Sequence, residues 1–197
     1  MTMRNGITEI RLHGRGGQGV VFAATAIAEA AFLEGKHVQS FGIYGAERRG
    51  APVTAFVRVG SSPEMPRCQI QQPDIVVTFD VNLPWQQMLK GLKPGGRLLV
   101  NCDDVDKCRD LCGVGGFDTH LVDASAIAAR NGLGAVGIPI INTVMLGAVV
   151  RVSGVCSLES LQAVLRKKVP RNLPKNLAAA AEGYENVREL DCYAAAL

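Results

Sequence analysis

The sequence predicts an open, mostly parallel α/β sheet with helices on both faces, and three observations carry that expectation. Apolar runs of strand length alternate with runs of helix length, the order of consecutive strand–helix units. A glycine-rich turn, His13-Gly14-Arg15-Gly16-Gly17-Gln18-Gly19, joins the first strand to the first helix. Glycine is abundant, at 22 of 197 residues, as many tight strand-to-helix turns require.

The elements follow in order. In Ile7–His13, Thr8, Ile10 and Leu12 share one face and Glu9 and Arg11 the other, the period of a strand. Val20–Glu34 is rich in small apolar residues and ends at Gly35, so it reads as a helix. Val38–Phe41 is a short second strand, and 42–52, with three glycines and a proline, is a loop. Val53–Val59 alternates and is β-branched, and Ile75–Phe79 is apolar enough for a buried parallel strand. A helix is expected from Asp80–Pro84 to about Leu92, with Asn82 as its N-cap and Pro84 in its first turn. Asp80 either touches a ligand or caps that helix, the cap being the favoured reading. Arg97–Asn101 is a strand, 103–116 a loop or short surface helix, Thr119–Val122 a strand and Ala124–Asn131 a helix. Three helices close the chain: Ile140–Val152, Leu158–Lys168 with Ser157 as cap, and Leu173–Val187. No repeat or low-complexity linker divides residues 1–197, so one domain is expected.

Composition narrows the function. A hydrophobic share of 48% with 20% charged residues fits a globular chain with a full core. The net charge of +3 and 5% aromatics argue against a nucleic-acid partner. No apolar run reaches the roughly 18 residues of a membrane span, and residues 1–6 hold no apolar core of a signal peptide, so a cytoplasmic location is expected. The spacings of Cys102, Cys108 and Cys112 match neither a zinc pair nor an iron–sulfur ligand run. With Cys68, Cys156 and Cys192 they read as reduced thiols. Walker A, G-x-S-x-G, H-E-x-x-H and C-x-x-C are absent, and no complete catalytic constellation is visible.

Gly14, Gly16 and Gly19 fit G-x-G-x-x-G, a turn whose backbone N–H groups and following helix N-terminus face phosphate. The acidic residue that holds an NAD ribose belongs about 20 residues on. That place is Ser40-Phe41, and Glu47 lies farther along. Arg48 and Arg49, on a glycine-rich loop at the same rim, suit several phosphates instead. Arg15 either adds charge to the turn or is solvated. His13 reads as a structural residue, and Asn142 and Thr143 either face a ligand or cap the helix they open.

Two blocks make the pattern specific: Ile10 to Val20, containing R-G-G-Q-G, and Tyr44 to Val53, containing E-R-R-G-A-P. Together they closely resemble the gamma subunit of 2-oxoacid:ferredoxin oxidoreductases, of which pyruvate:ferredoxin oxidoreductase is the best known. Pro73–Val77, Leu92–Gly96, Ile141–Ala148, Pro174–Asn176 and Gly183–Glu185 look like its later landmarks. The resemblance implies a Rossmann-like subunit of a complex that oxidatively decarboxylates a 2-oxoacid to acyl-CoA. Alpha, beta and cluster-bearing partner subunits would hold thiamine diphosphate, Mg and iron–sulfur clusters and pass electrons to ferredoxin or another acceptor. This chain would help assemble the complex and bind coenzyme A phosphates. The turn residues Gly14, Arg15, Gly16, Gly17, Gln18 and Gly19 would act with Arg48, Arg49 and, from the far wall, Asn142. Two other readings stay open: a dehydrogenase domain binding NAD(P) or FAD, and a purely structural subunit.

Overall fold

The computed structural model describes residues 6–43, 50–111, 116–135 and 137–190. Seven strands form one sheet: β1 Ile7–Arg15, β2 His37–Ile43, β3 Pro52–Gly60, β4 Ile75–Thr78, β5 Arg97–Asn101, β6 Asp118–Val122 and β9 Arg188–Glu189. A separate two-stranded hairpin pairs β7 Gly134–Ala135 with β8 Ile138–Pro139. The helices are α1 Val20–Leu33, α2 Trp85–Leu89, α3 Ala124–Arg130, α4 Asn142–Ser153, α5 Leu158–Lys168 and α6 Leu173–Glu185, with a 3-10 helix at Asp106–Leu111.

The strand order is β2-β3-β1-β4-β5-β6-β9. β1, β4, β5 and β6 are mutually parallel. β3 is antiparallel to both β1 and β2, so β2 runs with the parallel set and only β3 and β9 oppose it. The expected mostly parallel sheet is therefore present, with β3 inserted between β1 and β2. Its direction follows from chain length: residues 44–51 are too few for a parallel crossover, which needs a dozen or more. The carboxyl ends of β1, β2, β4, β5 and β6 and the start of β3 share one rim, since Arg15 pairs with Pro52.

Helices cover both faces unequally. On the larger face, Ile10, Leu12, Val57, Ile75, Val77 and Leu99 pack against α1, α3, α4, α5 and α6. α1 is buried between the sheet and other helices, which explains its run of alanines from Ala23 to Ala31. The smaller face packs Val76, Leu98, Val100 and Leu121 against Trp85 and Leu89 of α2, Cys102, Cys108 and Leu190. At the β1–β3 end this second face is polar. Arg58, 1% exposed, donates to Glu9 Oε1 at 2.8 Å and to the carbonyls of Pro66 and Cys68. Arg11 donates to the carbonyls of Met88 and Lys90, capping the end of α2, and to Ile70 O.

The α4–α6 contact is unusually close. A Cβ on Gly147 would lie 1.8 Å from Ala180 O, and one on Gly183 would lie 2.1 Å from Val144 O. Thr143 bonds Asn176 near the start of each helix, and Arg151 stacks on Tyr184 near the end of each, so the two run parallel.

Two expectations for the stretch after β4 are corrected. Asn82 does not cap a helix: its N–H and its side-chain Nδ2 both donate to Asp80 Oδ1, closing a turn. Asp80 therefore caps that turn, and α2 starts later, with Pro84 at the N-cap, and stops at Leu89.

Candidate functional site at the carboxyl rim

β1 ends at Arg15 and its ladder with β3 runs one step farther. Gly16 N–H donates to Ala51 O at 2.8 Å, and Gly50 N–H donates to Gly16 O at 3.1 Å. The turn then closes on itself: Gln18 N–H donates to Arg15 O at 3.0 Å, and Gln18 Oε1 accepts Arg15 N–H at 2.7 Å. Gly14 lies buried just before the turn, paired with Val53. Gly19 is the N-cap of α1 with φ 77°, a left-handed conformation in which an L side chain is strained. Within Gly16–Gly19, the N–H groups of Gly16 and Gln18 are thus occupied internally. Those of Gly17 and Gly19 have no partner among the described residues, and α1 adds the N–H groups of its first turn.

Arg15 Nε donates to Asp80 Oδ2 at 2.5 Å, and its Nη1 reaches Gly50 O at 3.3 Å. Burial works to raise the Asp80 carboxyl, but the bonds from Arg15 and Asn82 outweigh it and hold it below the usual range. Arg15 is therefore charge-matched and ties the turns after β1 and β4 together. Asn142 lies against the turn rather than across the cleft from it: a Cβ on Gly19 would come within 2.8 Å of its Nδ2. Its Oδ1 accepts Thr143 N–H at 2.9 Å. Thr143 is buried and bonds Asn176. His13 accepts from Arg11 Nε at 3.1 Å. Burial first, then the Arg11 charge, push its pKa down to about 4, so it is a neutral structural acceptor at neutral pH. Arg48 and Arg49 lie outside the described residues; the described chain resumes at Gly50, bonded to Gly16.

A cleft of about 790 Å³ opens beside the turn. One side is Gly16, Gly17 and Gln18. The floor is the ends of β4 and β5, where Asn101 donates to Phe79 O and accepts from Ala124 N–H. The far side is the β7–β8 hairpin, with Ile138 61% and Ile140 52% exposed. Asp103 and Asp123 lie on the floor; the first pairs with Lys107 and the second caps α3. The hairpin, Asn101 and the pairing of Arg15 with Asp80 are site features that the sequence alone does not reveal. Among the described residues no group of three or more His, Cys, Asp or Glu side chains is placed to hold a metal ion, and no helix is long and apolar enough to cross a membrane.

A glycine turn at the carboxyl end of β1, next to the point where the chain reverses across the sheet, is the arrangement of a Rossmann-like fold. The chain belongs to the pyruvate ferredoxin/flavodoxin oxidoreductase family, whose model matches residues 9–186, as a gamma-type subunit of a 2-oxoacid oxidoreductase complex. It is 44% identical over 180 residues to the pyruvate/ketoisovalerate oxidoreductases common subunit gamma of Thermococcus litoralis, covering 90% of this chain and 95% of the relative. The crystal structure of pyruvate oxidoreductase subunit PORC from Thermotoga maritima superposes with a TM-score of 0.81 at 38% identity, covering 94% of this chain and 99% of that one. A 2-oxoglutarate:ferredoxin oxidoreductase from Magnetococcus marinus, solved with 2-oxoglutarate, coenzyme A and succinyl-CoA bound, shares the fold. Its TM-score is 0.70 at 24% identity, over 92% of this chain and 31% of that one.

Proposed function

We propose that this subunit holds the phosphates of coenzyme A at the glycine turn and directs the thiol end toward partner subunits. Those alpha, beta and cluster-bearing partners carry thiamine diphosphate, Mg and the iron–sulfur clusters, and the complex converts a 2-oxoacid to acyl-CoA while reducing ferredoxin or another acceptor. The chain's contribution is orientation of the thiol more than bond-making. The observation that carries this reading is the set of N–H groups left open at Gly17, Gly19 and the first turn of the 14-residue α1, beside the cleft.

The charge pattern orients the ligand. Phosphates belong at the Gly17–Val20 end, with Arg48 and Arg49 supplying positive charge, because Asp103 and Asp123 repel them from the floor. The uncharged arm of the coenzyme then runs along Ile138, Ile140 and Ile141. The acid expected of an NAD ribose site is missing from the end of β2, which counts against a nicotinamide cofactor.

Titration of the subunit, alone and in its complex, with coenzyme A, NADPH and NADH tests the reading. Coenzyme A is expected to bind the complex, and Arg48→Ala with Arg49→Ala to raise the concentration required without abolishing 2-oxoacid-dependent thiamine reduction. Tight NADPH binding with none for coenzyme A overturns the proposal. Unchanged coenzyme A dependence in the double variant removes Arg48 and Arg49 from it.

A further inference from the structure

The sheet ends at β2, and the register of that strand shows which of its groups are left open. Glu9 O and His13 O accept from Asp74 and Phe79, so the odd residues of β1 face β4 and the even ones face β3. The pairs Leu12↔Ala55 and Phe41↔Phe56 carry that alternation across β3. The backbone N–H and C=O groups of Gln39 and Phe41 therefore face β3. Those of Val38, Ser40 and Gly42 point outward, with no partner among the described residues. Such edges are ordinarily blunted by a charge, a proline or shortness. The opposite edge, β9, has two residues, Arg188 and Glu189, whereas β2 runs for seven, His37–Ile43, with no Lys, Arg, Asp, Glu or Pro.

A groove of about 670 Å³ follows this edge, with Val38 to Phe41 on one side and residues 67–69 on the other. Its outer wall is built in advance. The buried Arg58 guanidinium holds it through Pro66 O at 2.8 Å and Cys68 O at 2.7 Å, and Gln39 Nε2 donates to Met65 O at 3.4 Å. Phe41 is fixed by stacking on Phe56, with ring centroids 4.9 Å apart. The lining holds one charged side chain, the exposed Arg67, and no carboxylate. A second copy of this chain fits it poorly. Two β2 strands pairing antiparallel are related by a two-fold axis normal to the sheet, which puts both 67–69 walls on one side and opposes the two Arg67 charges.

We propose that the β2 edge takes up an extended segment of another subunit of the complex, which adds a strand to the sheet and sets a carboxylate against Arg67. Main-chain bonds to the outward groups of Val38, Ser40 and Gly42 supply affinity, while the groove and the Arg67 charge select the segment. None of these residues lines the cleft beside the glycine turn, so the proposal holds whichever ligand fills that cleft.

Amide exchange of the free full-length chain and of the assembled complex, resolved residue by residue, tests it. Assembly should slow Val38, Ser40 and Gly42 by about tenfold or more and leave Gln39 and Phe41, already facing β3, nearly unchanged. Burial without strand pairing would not alternate in this way. Maleimide labelling of the exposed Cys68 should slow in the complex as well. Ser40→Pro removes an outward N–H without breaking the ladder to β3, so the free variant should melt near the wild type yet fail to join the complex. Arg67→Glu should weaken assembly by about tenfold, and Arg67→Lys should preserve it. A photo-crosslinker in place of Gln69 should capture a peptide of another subunit that contains Asp or Glu. Capture of a second copy of this chain overturns the proposal, as does equal exchange at Val38, Ser40 and Gly42 in the free chain and the complex. The wild-type exchange pattern decides by itself if Ser40→Pro does not fold.

Discussion

Gly147→Ala is the sharpest test of how α4 and α6 are held. On helix propensity alone the change is favourable by about 1 kcal/mol, since glycine is a poor helix former. The contact reverses the sign. The new Cβ would lie 1.8 Å from Ala180 O and 2.9 Å from Tyr184 N, where ordinary contact begins at 3.4 Å. The helices must part by roughly 1.6 Å, the shortfall between those distances, and the obstacle is backbone that cannot swing aside. Parting loosens the buried Thr143–Asn176 bond of 3.0 Å and opens space around Val144, Ala179 and Ala180. Overpacking costs about 1–3 kcal/mol, and a weakened buried hydrogen bond adds about 1–3 kcal/mol. Set against the propensity gain, the expected loss is about 3 kcal/mol, a fall in melting temperature of about 6–12 °C for a chain of this size. Circular dichroism melts and urea titrations of both proteins measure it. A variant as stable as the wild type, or more so, would refute the close parallel packing.

Three further outcomes are expected. Arg58→Ala leaves the carbonyls of Pro66 and Cys68 without a donor and Glu9 with only Lys93 at 3.7 Å, and should cost about 2–3 kcal/mol in urea unfolding; a loss under about 1 kcal/mol would contradict the buried network. His13 has a folded-state pKa near 4, below the ordinary 6.5, so the unfolded chain takes up its proton first as pH falls. Its contribution is complete above about pH 6.5 and lost toward pH 4, and His13→Gln should flatten that part of the stability–pH curve; an unchanged slope would reject the assignment. Gly19→Ala combines a left-handed backbone, about 1–2 kcal/mol, with a clash against Asn142. Asn142→Ala should relieve only the second part, so strict additivity in the double-mutant cycle would show that the two do not touch.

Much of this architecture was legible in the sequence because periodicity reports burial directly. The alanine-rich run after Gly19 and the amphipathic Leu158–Lys168 appear as helices where their patterns put them. The misreading at Asn82 comes from a polar side chain with two possible partners. Asn82 has the chemistry of an N-cap, but Asp80 draws it into a tight turn and the helix opens only after Pro84, out of reach of its side-chain oxygen. Arg11 and Arg58 alternate with apolar residues as solvent-facing residues would. Both are buried because 61–73 and α2 supply carbonyls to them, a long-range fact invisible in a window of ten residues. The direction of β3 depended on connection length rather than composition. For the candidate site, spacing located the turn but not which N–H groups its own folding occupies. The far wall expected of Asn142 gives way to a place against Gly19, because nothing local in the sequence reveals that α4 begins there.

The two hydrogen bonds between Gly16 and residues 50–51 have a mechanical consequence. They clamp one end of the glycine turn to the sheet, as a bearing fixes one end of a spring. Gln18 is itself tied back to Arg15, so the positions left to adjust are Gly17 and Gly19, with α1 as the other anchor. Any adjustment to an incoming anion is confined to those positions. A pull on Gly50 or Ala51 therefore arrives at the clamp and not at Gly17 or Gly19.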